Sequence, residues 1–298
     1  SELLGMEKRD VDPKEIESLW EQGGEGLRRF VSYSRRDAVL AQRMLLDLRL
    51  MDKYIALSRA SGSLLQDIVN GGQSGMVESL LLRRFQERGR VVPPKPDSDI
   101  SEGRYEENEA LKGGAVLVPE KGLVEDVIIL DYKSLYPTIM MAHNLCYSTV
   151  LTRPDSPGES HLDEREVITS PSGGRFVSAQ LSPGIMPAIL RELLEQRTAT
   201  KRLMKKAGDE ERLFLDAKQY AMKILLNSFY GYSGYARARL YSLALANAVT
   251  SFGRENILRT KKIIDDIGSV YVLDGEVIFK DALPFGKAAE RCFDLSVV

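Results

Sequence analysis

The chain has 298 residues, of which 43% are hydrophobic and 28% charged, and its formal net charge is −2. That composition suits a folded protein of two or three domains and excludes wholesale disorder. A net charge this close to zero also excludes a globally basic nucleic-acid binder, so any surface for a polyanion has to be a local patch.

Two cysteines, Cys146 and Cys292, lie far apart without CxxC spacing. This argues against a disulfide framework or zinc site and fits a reducing compartment. No apolar run approaches the roughly 20 residues that span a bilayer, and SELLGMEKRD is no signal peptide. The expectation is a cytoplasmic protein. The opening, which starts on Ser and lacks a cap of its own, is read as truncated.

Residues 13 to 30, PKEIESLWEQGGEGLRRF, predict a short helix broken at Gly23 and Gly24, and a longer helix follows from about Ser34 to Leu57. Within it Tyr33 and Asp37 stand one turn apart on the same side, a spacing that also fits a helix cap or a surface pair. Residues 61 to 90 have helical periodicity around a Gly-rich turn. VVPPKPDSDISEGRYEENEA, 91 to 110, is rich in Pro and acids, lacks an apolar period, and predicts an exposed linker at a domain boundary.

Ala115 to Val118 and Val127 to Leu130 predict two strands of a β-hairpin, with Lys121 and Gly122 in the turn. Asp131 ends the apolar run VIILD. A carboxylate there is costly unless it is capped, paired or bound to a cation. Tyr136, which alone would also fit a core aromatic, precedes Pro137 at the start of a short helix. Residues 153 to 183 predict a loop and then a hairpin. His161 belongs to that loop as a solvated side chain and His143 to the packed interior. Neither lies in a nucleophile motif, which argues against Ser/His hydrolysis and histidine-rich metal sites.

From Gly184 to about Lys206, Ile185, Ile189, Leu193 and Leu194 mark one helix face, and the basic last turn complements the dipole. Arg197 and Lys201 share a face of this helix; Arg197 would also fit an ion pair with Glu192 or Glu195. The sequence GDEE joins it to a second helix over 215 to 230, with an apolar face at Ala217, Ala221, Leu225 and Leu226. Gln219, Lys223 and Asn227 recur every four residues, with Tyr230 a turn further on. A cation, two amides and a ring on one side suit a triphosphate and a base pair, although Lys and Asn alone would fit a solvated face. In YSGYARARLY, which follows Gly231, Tyr232, Tyr235 and Tyr241 alternate with Arg237 and Arg239, a pattern that fits nucleic acid. LALANAVTSFGRENILRTKKIIDD predicts an amphipathic helix, and VYVL and VIF then flank Asp274, Gly275 and Glu276 as a hairpin with two acids at its tip.

Several of these segments together resemble the family B DNA polymerases, especially the archaeal replicative enzymes. KILLNSFYGYSGYARARLY resembles their second polymerase motif, and DYKSLYPTIM is similar to the first, DxxSLYPS, with Thr138 in place of its last Ser. YSRRDAVLAQRM resembles the third exonuclease motif. Gly113 and Gly114 resemble the YxGG element, a contact to template phosphates, with Leu111 where Tyr is usual. The resemblance covers about residues 30 to 270.

It implies an α+β multidomain fold, with an antiparallel palm sheet, two-helix antiparallel fingers, a helical C-terminal remnant of a 3′ to 5′ exonuclease domain, and no thumb. The divisions expected are residues 1–57 for the exonuclease remnant, 58–110 for connecting helices and linker, 111–183 for the first part of the palm, 184–232 for the fingers, and 233–298 for the second part of the palm and a tail. It also implies roles. Asp131 and the backbone of Tyr132 would hold two Mg²⁺ ions, as in-line phosphoryl transfer to a primer 3′ hydroxyl needs. Amides near Ser134 and Leu135 would touch the triphosphate of the incoming deoxynucleoside triphosphate, with Arg197, Lys201, Lys223 and Asn227 as a clamp over it. Tyr136 would exclude a 2′ hydroxyl, and Tyr230 would check the nascent pair. Gly113, Gly114, Gly231, Tyr235, Arg237 and Arg239 would face primer-template DNA. Tyr33 and Asp37 would belong to the exonuclease remnant, whose other carboxylates lie upstream, so the chain alone is expected not to degrade DNA from the 3′ end.

The family's third motif, YxDTD, has no counterpart, because VYVLDGEVIF stands in its place. Either Asp274 or Glu276 is a divergent metal ligand, or the second essential Asp and the thumb lie on a second polypeptide. The latter is favoured, since DGE would lengthen one ligand and displace it. The reading is therefore the larger piece of a split polymerase, completed by a DTD-bearing polypeptide and by upstream exonuclease and N-terminal segments. Two other classes stay open: a non-catalytic scaffold that binds DNA or a subunit, and an RNA-making enzyme, which Tyr136 argues against.

Overall fold

The computed structural model describes residues 4–109, 111–119, 121–123, 127, 129–151, 162–273, 276–279 and 291–295. The chain divides into two compact units, Ser1–Leu80 with Glu195–Leu225, and Leu81–Leu194 with Leu226–Val298.

The first unit is helical. Asp12 caps a 3₁₀ turn at Pro13–Glu15 by accepting from the Lys14 N–H at 2.9 Å, and α1 (Ile16–Glu21) follows directly. The expected break falls at Gly23 and Gly24, both at positive φ, and α2 (Gly24–Asp47) packs back on α1 with Trp20 edge-on to Phe30 at 6.1 Å. The single long helix expected to reach Leu57 is instead two. Arg49 takes a left-handed conformation (φ 49) that interrupts the i→i−4 ladder, and α3 (Leu50–Ser61) folds against α2. No Gly or Pro announces that break. The next helix, α4 (Leu65–Glu87), bends at Gly72, whose φ of 65° and ψ of −163° suit only a residue without Cβ.

Residues 98 to 108 correct the expectation of a linker, because they form α5 (Ser98–Asn108). Asp97 caps it, its carboxylate accepting from the Ile100 N–H at 2.9 Å. Its side-chain contacts, described below, are to the loop that ends in Tyr241. The expected hairpin between 115 and 130 is also corrected. The described residues there form no strand, and Val116, Val118 and Ile129 are about nine-tenths exposed. A strand needs a neighbour for its N–H and C=O groups, and none of the described residues supplies one.

In the second unit α6 (Leu135–Ala142) leads to β1 (Val150–Leu151), and β2 (Val167–Thr169) and β3 (Arg175–Val177) form the expected hairpin. The three strands make an antiparallel sheet in the order β1-β3-β2. Its most buried side chain, Phe176, belongs to a core that includes Met140, Leu145, Met186, Leu190, Phe229 and Tyr232. Helix α7 (Ile185–Met204) falls where the apolar spacing put it, whereas α8 (Asp209–Ser233) starts six residues before the expected 215, taking in the acids of the expected GDEE connector, which suit a helix N-terminus; both helices run through both units. In α9 (Leu243–Ile267), capped by Ser242, the first half is buried, and α6 packs on it. The chain continues in β4 (Ser269–Leu273), β5 (Glu276–Phe279) and β6 (Arg291–Asp294), an antiparallel sheet in the order β5-β4-β6, with Leu273 opposite Glu276. No helix among the described residues is long and apolar enough to cross a membrane.

Candidate active site

Asp131 lies exposed in irregular chain just before α6, with Tyr132 beside it. The Tyr132 hydroxyl donates to the Asn256 carbonyl at 3.2 Å and shares a hydrogen bond with Thr260, which pins this turn to α9. Ser134 then adopts a left-handed conformation (φ 54, ψ 53), costly for a residue with Cβ and a frequent feature of functional sites. It turns the chain into α6. The Thr138 hydroxyl donates to the Lys133 carbonyl at 3.1 Å and the Thr138 N–H to the Ser134 carbonyl at 2.9 Å, closing the turn. The helix thus starts at half-buried Leu135, with half-buried Tyr136 in its first turn.

Tyr136 meets Tyr230 of α8, with ring centroids 4.6 Å apart and planes tilted by 48°. Burial and the neighbouring Tyr136 push the Tyr230 phenol above its ordinary pKa, against an opposing effect of Arg254, so the ring is neutral at physiological pH. Arg254 of α9 donates to the Lys112 carbonyl at 2.9 Å and to the Gly113 carbonyl at 2.6 Å. At the C-terminal end of α6, His143 stacks on Phe252 at 3.7 Å, and burial lowers its pKa despite Glu255.

On α8, Gln219, Lys223, Asn227 and Tyr230 carry the expected polar stripe. Lys223 and Asn227 are exposed and Gln219 and Tyr230 half-buried, while Leu215, Ala221, Met222, Leu225, Leu226 and Phe229 are buried. Arg197 of α7 donates from Nε to Gln219 Oε1 at 3.4 Å, whereas Glu192 pairs with Arg84 at 2.7 Å. Lys201 is exposed. Arg197, Lys201 and Lys223 belong to the first unit; Asp131, Tyr136, Asn227 and Tyr230 belong to the second.

The aromatic and basic run divides in two. Tyr232 is buried at 1% exposure. Tyr241 is turned onto α5, its hydroxyl donating to Glu107 and Asn108 at 3.2 Å, with Arg104 over its ring at 4.8 Å. Arg104 also donates to the carbonyls of Ala236 and Ala238, and Asn108 to that of Gly234. Burial, then Glu107, pushes the Tyr241 phenol up to about 12. Gly231 and Arg237 are exposed, Tyr235 is half-buried, and Arg239 reaches the Pro93 carbonyl at 3.4 Å. The sequence groups all three tyrosines; Tyr232 is lost to the core, Tyr241 is half-buried with its hydroxyl engaged by α5, and Tyr235 and the arginines keep surface to offer. Sequence reasoning also missed Arg104, Asn108 and Arg254, and the sole signal for the last was a glycine, Gly253, inside an otherwise regular helix.

In the first unit Asp37 pairs with Lys8 at 3.6 Å, and the same ammonium lies 5.8 Å from the Tyr33 ring centroid. Asp274 lies outside the described residues, and Glu276 opens β5. Among the described residues no three His, Cys, Asp or Glu gather as a metal site. Asp131 has the donor chemistry of one metal carboxylate, and the described residues do not complete a donor set around it.

The sequence profile of DNA polymerase family B matches residues 64–297. The chain belongs to that family. The catalytic subunit of DNA polymerase delta from Arabidopsis thaliana is 38% identical over 285 residues, 94% of this chain and 25% of that protein. A DNA polymerase from Desulfurococcus sp. (strain Tok) is 39% identical over 265 residues, 89% of this chain and 32% of that protein. The chain thus spans about a quarter to a third of these curated relatives. The structure of the family B DNA polymerase from Pyrobaculum calidifontis superposes with a TM-score of 0.66 at 31% identity, covering 91% of this chain and 34% of that one. The family B fold is accordingly what brings Tyr136 and Tyr230, distant in sequence, to one place.

Proposed function

We propose that this chain is part of the catalytic core of a template-directed DNA polymerase, extending a primer 3′ end with deoxynucleotides. The observation that carries the reading is the Tyr136–Tyr230 pair at 4.6 Å, which joins the two polymerase motifs beside the turn that presents Asp131. On this reading residues 184–232 are the fingers, 111–183 and 233–298 the palm, 1–57 a remnant of the exonuclease domain, and 58–110 the connection between the two.

Asp131 and the Tyr132 carbonyl would hold magnesium ions, which lower the pKa of the primer hydroxyl and balance the charge of the triphosphate and its leaving group. The chain's own residues then bind and orient. Arg197, Lys201, Lys223 and Asn227 grip the triphosphate by charge-assisted hydrogen bonds, together with amides near Ser134 and Leu135. Tyr136 fills the space a 2′ hydroxyl would need. The neutral Tyr230 ring offers a flat face to the nascent base pair, and Tyr235, Arg237, Arg239 and the backbone at Gly113, Gly114 and Gly231 receive primer-template DNA. We place the second carboxylate on another polypeptide, because DGE stands where the family has DTD.

The test is primer extension with Mg²⁺ and four deoxynucleotides, by the chain alone and mixed with a DTD-bearing partner. Extension in the mixture, reduced about a thousandfold or more by Asp131→Ala, is the expected result. Extension by the chain alone would transfer the second ligand to Asp274 or Glu276. A second reading, a DNA-binding or subunit-binding scaffold without catalysis, draws on the described residues, which gather no metal-donor group. DNA binding without extension in any mixture would favour it.

A further inference from the structure

Gly253 lies in the middle of α9 with ordinary helical backbone, so no left-handed conformation calls for glycine there. Glycine weakens a helix interior relative to alanine, and the position is buried, so the local cost needs a reason in packing. The reason is a close neighbour. A Cβ at Gly253 would stand 3.3 Å from Cε1 and 3.9 Å from Cδ1 of Tyr136, and 3.7 Å from Cδ1 of Ile139. The ring of Tyr136 therefore lies directly on the bare backbone of α9.

Two further groups lie against that ring. Tyr230 stands against it at 4.6 Å between centroids. At its hydroxyl end, a Cβ added to Gly114 would come within 3.2 Å of the Tyr136 oxygen. The segment carrying that glycine is tied to α9 by Arg254, the residue after Gly253, through the carbonyls of Lys112 and Gly113. Consecutive residues of one helix thus set the floor under the ring and the wall at its tip.

We infer that Gly253 is a specificity-determining position: by letting Tyr136 sit flush on α9, it fixes where the ring meets the sugar of the incoming nucleotide. This rests on the polymerase reading above and adds to it a residue that touches neither nucleotide nor metal. A methyl group at 253 has to displace the ring by a few tenths of an ångström, since Tyr136 is the nearest group and its side chain can pivot. A gate selects by filling one small volume, and a ring moved off its seat fills it less well.

The experiment compares Gly253→Ala with the parent in the assembled, extending enzyme, measuring kcat/KM for a deoxynucleotide and for the matching ribonucleotide. The expected result is a fall of about threefold or more in the discrimination ratio, with no further fall when the same change is made in a Tyr136→Ala background. A purely structural defect would lower both substrates alike and leave the ratio in place. A ratio that changes by less than about threefold, or rises, would overturn the inference. Should Gly253→Ala fail to fold, recovery of folding in the Tyr136→Ala, Gly253→Ala double variant would support it, and failure of both would overturn it. A parent enzyme that extends primers without distinguishing the sugars would overturn this inference and leave the polymerase reading standing. A parent that does not extend would sink both.

Discussion

Asn144 sits at φ 50, a conformation that asparagine tolerates better than most residues, and only 2% of it is exposed. Its amide donates to the carbonyls of Val177 and Ser182 at 2.8 and 2.9 Å, and its Oδ1 accepts from the Gly184 N–H at 2.8 Å. One side chain thus fastens the end of α6 to β3 and to the entrance of α7. Replacing it with alanine leaves one buried and two part-buried backbone groups without this partner, and Asn144→Ala is expected to lower stability by about 3 kcal/mol, read from the midpoint of urea unfolding. A loss below about 1 kcal/mol would mean that water takes over these bonds. Nothing in the local sequence NLCYST announced this role, because its three partners lie more than thirty residues away in the chain. Tyr132, Ser134 and Tyr136 show the opposite case. Their motif was legible as a string, and the structure added the physical content: a pinned phenol, a left-handed turn and a ring against Tyr230.

At the scale of elements, α5 and the loop from Gly234 to Tyr241 act as one assembly. The helix has no apolar stripe, which is why its sequence looked like a linker. What holds it is a set of polar contacts, Arg104 to two carbonyls and the Tyr241 ring, and Asn108 to a third carbonyl. Hydrogen bonds from a charged donor contribute about 1.5–3 kcal/mol each. Arg104→Met is therefore expected to release the loop, speeding amide exchange across residues 235–240 and weakening primer-template binding about tenfold, with the KM for deoxynucleotides little changed. Unchanged DNA affinity would detach this loop from the DNA interface. Elements with strong periodicity, α7 and α9, were placed by sequence within a few residues, and α8 in all but its first turn and a half, since burying one apolar face is a local demand. The break at Arg49, and the lack of strand among the described residues between 115 and 130, depended on partners that no local pattern names.

For the molecule as a whole, the first unit carries Tyr33 and Asp37 on α2, with Lys8 on both. A nuclease of the two-ion type needs several carboxylates in one place, and the described residues gather no such group. The chain alone is expected to leave a labelled 3′ end intact in the presence of Mg²⁺, on single strands and on mismatched duplexes; metal-dependent excision, abolished by Asp37→Ala, would refute this. By itself the sequence determined the family, the long helices and the residue types of the site, because helical periodicity and two dense motifs are local properties of the chain. Tertiary structure alone decided which tyrosines are buried and which are offered, that an acidic stretch becomes a helix, and that a bare glycine underlies Tyr136. Each of those outcomes turns on which distant group arrives within a few ångströms, and burial, unlike periodicity, is a property of the neighbours rather than of the residue.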